Sequence, residues 1–275
     1  DLLFIAGMGM EAFGAALATI MGQAFSFVGS IIYLYKRKEA FGFDFKIKSF
    51  AVRWDIIKPM IKLGFPLALQ YAAISISMLF VNSYINSYGL IASAVTGVGN
   101  KLRHVMSIIT RSIATAGSSM VGQNMGAGKP ERVKQMVRTA CIICFSAAIV
   151  FSGVFLAMPK QIFSIFDKNP QVLEWAPRYM VTIALAFFSF AFMAPFNAVI
   201  NGTGFATLSF VIAILDGVVA RIGLSLLLGL TFNMGIAGFW YGSALAGYVT
   251  GLVGCIYYLS GKWSTRRLLI EKKTE

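Results

Sequence analysis

The chain has 275 residues, of which 57% are hydrophobic and only 13% charged, with a formal net charge of +13. Soluble domains carry roughly a quarter charged residues. With a mean hydropathy of +0.74, a soluble globular enzyme, a disordered tail and a disulfide scaffold are excluded, and the composition reads as all-α: a polytopic transmembrane helix bundle.

A strong positive charge ordinarily raises nucleic acid as a partner. Here the basic residues sit mostly in short blocks between apolar runs, a pattern that suits membrane topology and predicts no nucleic-acid partner. The three cysteines give no disulfide or zinc framework. The chain opens on Asp1 and is apolar at once, with no basic stretch ahead of the first apolar run. That start reads as internal to a longer protein rather than as a signal peptide.

Apolar runs of about 20 residues, enough to cross ~30 Å of hydrocarbon, predict seven spans. In chain order they are Ala12–Tyr35, Leu63–Ser87, Leu90–Gln123, Val137–Met158, Tyr179–Ile200, Ala206–Leu230 and Ile236–Ser260. Lys36-Arg37-Lys38 ends the first, and a basic polar stretch with Lys46, Lys48, Arg53, Lys58 and Lys62 follows. Gly122–Arg132 is a loop after the third span, and Pro159–Arg178 is mixed in charge and reads as amphipathic. The basic blocks after spans one, three and seven fall on one side if every span crosses once, which the positive-inside rule makes cytoplasmic, the C-terminus included.

Two stretches echo each other. FVGSIIYL (Phe27–Leu34) and LVGCIYYL (Leu252–Leu259) lie at a constant offset of 225 residues, each preceded by a Met-Gly-rich entry, GMGMEAFGAA (Gly7–Ala16) and NMGIAGFWYG (Asn233–Gly242). Both then read as the last helix of a six-helix unit, one complete here and one mostly missing. Duplicated helical lobes around a central site are a transporter architecture.

Four motifs carry a resemblance. GMGMEAFGAALATIMGQ (Gly7–Gln23), LGFPLALQ (Leu63–Gln70), VGQNMGAGKPERV (Val121–Val133) and APFNAVINGTG (Ala194–Gly204) occur in this order and spacing. They resemble the multidrug and toxic compound extrusion (MATE) transporters, with the third motif the most specific. The resemblance implies twelve helices in two bundles. Residues 1–38 would be the last helix of the N-terminal lobe, 39–62 a basic cytoplasmic inter-lobe linker, 63–261 the six-helix C-terminal lobe and 262–275 a basic cytoplasmic tail. It implies a non-enzymatic, cofactor-free antiporter of the cell membrane that exports small organic compounds in exchange for H+ or Na+, with membrane lipid and the missing lobe as its partners. The alternative is a lipid-linked glycan flippase of the same broader superfamily. The acids that one branch of MATE proteins places in its seventh and tenth helices are absent from Gly64–Asn86 and Tyr179–Asn201.

Asp216 is the only acid deep in an apolar span. A mid-bilayer charge costs about 2.5–3.5 kcal/mol on insertion scales, so it needs a partner or a wet cavity. It is an ion-coupling candidate, with His104 as a second, titratable one; the other reading is a structural pair with Arg221, itself a cavity candidate, or with a basic residue of the third span. The third span carries Lys101, Arg103, His104 and Arg111. At about 100° per residue, Lys101, His104 and Arg111 share a face, with Arg103 to its side. Counting in from Leu90 places them mid-membrane, lining a cavity. Counting back from Met125 places the first three at the outer interface, where long basic side chains snorkel. The in-span amides Gln70, Asn82, Asn197 and Asn201 are cavity or helix-packing candidates. Pro66 and Pro195 are kink candidates.

Cys141–Cys144 has CxxC spacing but lies in an apolar span, which reads as small buried hydrophobes. Gly126–Lys129 lacks the full phosphate-loop pattern and a preceding strand. No metal cluster or nucleophile–base set is expected from one histidine and one deep acid.

Overall fold

The computed structural model describes residues 3–42, 44, 46 and 51–265. These residues are helical, without strands, and fall into two compact units, Asp1–Ile57 and Lys58–Glu275.

In the first unit, a π-helical turn over Leu3–Gly7 precedes α1 (Glu11–Lys36) and the short α2 (Lys38–Phe41). Gly14 is the one residue of α1 buried within the unit; a Cβ there would overlap Met10 and Phe4. Otherwise α1 presents an apolar surface on all sides, as a helix facing lipid or other helices does.

The second unit holds α3 (Trp54–Ser87, from residue 58 on), α4 (Leu90–Gly126), α5 (Pro130–Ala157), α6 (Pro159–Ser164) and α7 (Pro170–Gly202). It continues with α8 (Ala206–Thr231) and α9 (Ile236–Leu259). α8 is α-helical to Ile214, π-helical over Leu215–Ile222, α-helical over Gly223–Leu226 and π-helical again over Leu227–Thr231. α9 begins at Ile236 and α1 at Glu11, the same 225-residue offset as the sequence echo.

Local chemistry sets the breaks. Asn169 caps α7, its Oδ1 accepting from the Gln171 N–H at 3.0 Å, and Pro170 takes the first helical position, where its missing N–H leaves no bond unmade. Pro130 opens α5 in the same way. Gly89 and Gly235, each just before a helix, adopt φ of +101° and +57°, which side chains with a Cβ disfavour.

α7 is the centre of the lobe, packed along α4, α5 and α9, with α9 in turn packed on α8. In lipid the hydrophobic effect does not drive helices together, so close backbone approach matters. α9 supplies it on two faces. Any Cβ at Gly238 or Gly242 would overlap the α8 backbone at Leu228–Gly229 and Leu224–Ser225, and one at Gly247, Gly251 or Gly254 would overlap Ser189, Phe192 or Phe196 of α7. α3 joins at Gly217, whose Cβ position abuts Ala73 and whose carbonyl accepts from Ser77 Oγ. Tyr84 of α3 stacks on Phe239 of α9 at 5.4 Å. Beyond α9, the chain folds back so that Trp263 is buried, its indole stacked on Tyr258 at 5.7 Å and donating to that residue's carbonyl at 2.9 Å.

Six described helices are long and apolar enough to cross a membrane: α1, α3, α5, α7, α8 and α9. The third expected span, α4, is 37 residues long, ~55 Å at about 1.5 Å per residue, but its cations keep it out of that set. The expected Gly122–Arg132 loop shrinks to residues 127–129, because α4 runs to Gly126 and α5 starts at Pro130 rather than Val137, and further boundaries differ from the sequence reading. α3 starts at Trp54 rather than Leu63, so Lys58 and Lys62 stand on its first turns instead of in a linker. The amphipathic segment resolves into α6, a turn and the start of α7. The helices run through both kink candidates, Pro66 in α3 and Pro195 in α7. Most of the expected basic tail lies outside the described residues.

Candidate functional site

The polar residues of α4 part company along a helical stripe. Val95, Val98, Gly99, Leu102, Met106, Thr110, Gly117 and Val121 are buried, at spacings of three and four that define the face turned to the lobe's core. Arg103, four residues after Gly99, falls on that face and is buried, only 8% exposed. Lys101, His104 and Arg111 are exposed. Lys101 lies over the Phe166 ring at 5.5 Å, and His104 Nδ1 meets Ser107 Oγ at 3.3 Å. The expected cluster is therefore split: one arginine points inward, while Lys101, His104 and Arg111 lie on the lobe's outer surface.

Arg103 borders a small, partly open cavity whose other walls come from α3 (Met78, Asn82), α4 (Thr96, Asn100), α7 (Tyr179) and α9 (Trp240, Ser243). Its free volume is about 10 Å³, room for roughly one water. Gly99 makes the wall possible, because a Cβ there would overlap the Tyr179 ring; the phenol can thus lie against α4 one turn from Arg103. Tyr179 also meets Trp240 edge-on at 4.6 Å. Trp240 Nε1–H donates to Thr96 Oγ1 at 2.9 Å, while Thr96 Oγ1 donates to the Ala92 carbonyl at 2.8 Å. Each buried polar group of that pair is satisfied, as a low-dielectric site requires.

On the α8 side, Arg221 donates to Asp216 Oδ1 at 2.9 Å, and both side chains are nearly inaccessible, at 8% and 3% exposure. The pair is a product of the π-helix. Five residues apart, the two would stand on different faces of a helix with 3.6 residues per turn; the wider turn closed by i→i+5 bonds brings them together. Arg221 also donates to the carbonyl and hydroxyl oxygens of Ser243, both at 3.2 Å, while its Nε–H is buried with no partner among the described residues. Ser243 therefore joins the ion pair to the Arg103 cavity. Arg103 itself makes no hydrogen bond or ion pair among the described residues, and the ionisable groups that act on it electrostatically are Tyr179 and Arg221.

Of the residues singled out from sequence, the structure brings together Asn82, Arg103, Asp216 and Arg221. It does not bring Gln70, Asn197 or Asn201 to this place. Asn201 Oδ1 instead accepts from Ser209 Oγ at 3.2 Å and ties the α7–α8 turn. Asn100, Tyr179, Trp240 and Ser243 were missed; the Gly99-to-Arg103 spacing was the available signal for the first two. The thiols of Cys141, Cys144 and Cys255 are free; Cys141 and Cys255 border an open, mostly apolar groove between α5, α7 and α9. Among the described residues no group of three His, Cys, Asp or Glu side chains gathers to hold a metal ion.

Known proteins share this fold. An outward-facing multidrug resistance MATE family transporter of the MOP superfamily superposes with a TM-score of 0.85 at 20% identity, over 94% of this chain and 58% of that one. A MOP superfamily transporter from Pyrococcus furiosus, described as having a binding pocket of reversed polarity, gives 0.84 at 22% identity, over 95% and 59%. In sequence, the chain is 25% identical to a probable multidrug resistance protein NorM of Thermotoga maritima over 265 residues, covering 95% of this chain and 56% of that protein. It is 27% identical to the FAD transporter of Shewanella oneidensis over 210 residues, covering 73% and 45%. The chain thus spans about half the length of the curated relatives it matches. The MatE family model matches residues 66–227, a stretch that runs from α3 through the Arg103 cavity to the Asp216–Arg221 pair, and the chain belongs to the MatE family.

Proposed function

We propose that the chain is the C-terminal lobe, with the preceding helix, of a secondary active antiporter that exports organic compounds in exchange for H+ or Na+. The observation that carries this reading is the set of charged groups buried among the lobe's described residues: Asp216, Arg221 and Arg103, meeting at Ser243 and a water-sized cavity. Charged side chains at membrane depth are costly and mark ion or substrate pathways. No cofactor is needed for such exchange.

Alternating access supplies the mechanism: the lobe and its N-terminal counterpart rock about a central cavity, and bound ion and bound substrate exclude one another. Asp216 is the ion-coupling residue of this lobe. A cation reaching its carboxylate must first displace Arg221, so ion occupancy is tied to opening a buried pair. The protein is integral to the cell membrane with its basic loops and C-terminus cytoplasmic, the side on which the α4–α5 turn at Lys129 then lies.

The test is dye movement in everted vesicles carrying the full-length protein, under an imposed pH gradient and then a sodium gradient, with cationic, anionic and neutral dyes. Gradient-driven movement supports the exchange and names the ion. No movement of any dye from folded protein overturns it in favour of a lipid-linked glycan flippase.

A further inference from the structure

The buried charges among the lobe's described residues do not balance. Arg103 and Arg221 contribute two positive charges and Asp216 one negative, and Asp216 pairs with Arg221 at 2.9 Å. Arg103 has no hydrogen bond or ion pair among the described residues, although it is 8% exposed. A guanidinium presents five donors in a fixed fork, and leaving such a group buried and unpaired is costly. Tyr179, Asn82 and Asn100 line the same cavity, and the neighbouring Arg221 Nε–H is buried with no partner among the described residues.

We infer that this cavity is an oxyanion-binding site, in which Arg103, supported by Asn82, Asn100 and Tyr179, takes the carboxylate or phosphate group of a transported organic solute. The inference rests on the reading that the lobe lines a transport cavity and adds the class of ligand. The geometry suits an oxyanion better than a halide, because the planar fork pairs two oxygens at once. The free volume of about 10 Å³ seats one oxygen of the ligand, roughly the size of a water, and the rest of the carboxylate or phosphate group lies at the cavity's open side. The T-shaped Tyr179–Trp240 contact and the Trp240–Thr96 hydrogen bond hold the wall rigid, so the donors are preorganised.

The probes are benzoate and inorganic phosphate, with neutral benzyl alcohol as control, added to the full-length protein in detergent and in phosphatidylcholine vesicles while its melting temperature is followed. Wild type is expected to show a saturable upward shift with either anion and none with benzyl alcohol. Arg103→Met is expected to abolish that shift while melting no lower than wild type without anion, since it removes an unpaired buried charge. Arg103→Lys, which keeps the charge and loses the fork, is expected to weaken the response at least tenfold and serves if the Met variant fails to fold. Lys101→Met, at the outer surface, is expected to respond as wild type does. A shift that survives Arg103→Met, or that Lys101→Met removes equally, overturns the site. Competition by phosphatidylglycerol assigns the oxyanion to a lipid headgroup and overturns the transported solute. Gradient-driven dye movement without an Arg103-dependent anion response sinks this inference alone. An Arg103-dependent response in a protein that moves no dye sinks the antiporter reading alone.

Discussion

Replacing Asp216 by Asn probes the buried pair directly. Arg221 would keep its two bonds to Ser243 but lose its counter-charge, and the core would then hold two guanidiniums and no carboxylate. Unit charges 2.9 Å apart attract by about 6 kcal/mol at an effective dielectric constant of ~20, most of which offsets the desolvation of the two ions. Breaking such a pair from one side costs about 3–5 kcal/mol, whereas replacing both partners by apolar or neutral groups is near neutral or stabilising by about 1–4 kcal/mol. Asp216→Asn is therefore expected to lose about 3–5 kcal/mol and Asp216→Asn with Arg221→Met to regain nearly all of it. Reversible unfolding of the full-length protein in mixed micelles, followed by far-ultraviolet circular dichroism, gives both values. A single variant within about 1 kcal/mol of wild type, the size of an ordinary polar contact between membrane helices, would refute a closed, desolvated pair. So would a double variant as unstable as the single one.

Gly99→Ala drives a methyl into the Tyr179 ring; overpacking of this kind costs about 1–3 kcal/mol, read as a fall in melting temperature, and pushes the phenol off the cavity wall. Gly242→Leu is expected to be worse, because the obstacle is the α8 backbone at Leu224–Ser225 rather than a side chain; retention of a monodisperse, folded peak on gel filtration would contradict the packing. Trp263→Ala removes a buried indole stacked on Tyr258 and should cost about 3–5 kcal/mol, measured by the same unfolding assay. For topology, a single cysteine at Lys129 in a cysteine-free background is expected to react with an impermeant maleimide only after cells are permeabilised.

The helices were legible in the sequence because run length and composition decide them: an apolar stretch ended by Lys36-Arg37-Lys38 or by Gly-rich turns has few alternatives in a bilayer. Their rotations were harder. Placing Arg103 beside the Lys101–His104–Arg111 face used angles among the cations alone. The decisive pattern was the apolar and small-residue stripe through Val95, Gly99, Leu102 and Met106, which turns Arg103 inward. Asp216 and Arg221 were visible as neighbours five residues apart, but what lets them meet is a π-helical stretch that no local residue pattern announces. Tyr179 was passed over as the edge of a span, because reading it as a wall required knowing that Gly99 leaves it space. Asn197 and Asn201 show the opposite failure: polar residues in a span look alike in sequence whether they border a cavity or tie a turn.

The charge carried by α4 has a consequence for biosynthesis. Lys101, Arg103 and Arg111 each oppose insertion by about 2.5–3.5 kcal/mol near a helix centre, while six other described helices are long and apolar enough to cross a membrane. α4 alone is then a poor substrate for the translocon, and its neighbours must be held at the exit until it can leave in their company. α5 emerges next and α7, its main packing partner, later still, so membrane integration of this lobe is collective and late rather than one helix at a time. Glycosylation mapping of truncated nascent chains ending after α4, after α5 and after α7 should show α4 failing to integrate in the shortest and integrating in the longest.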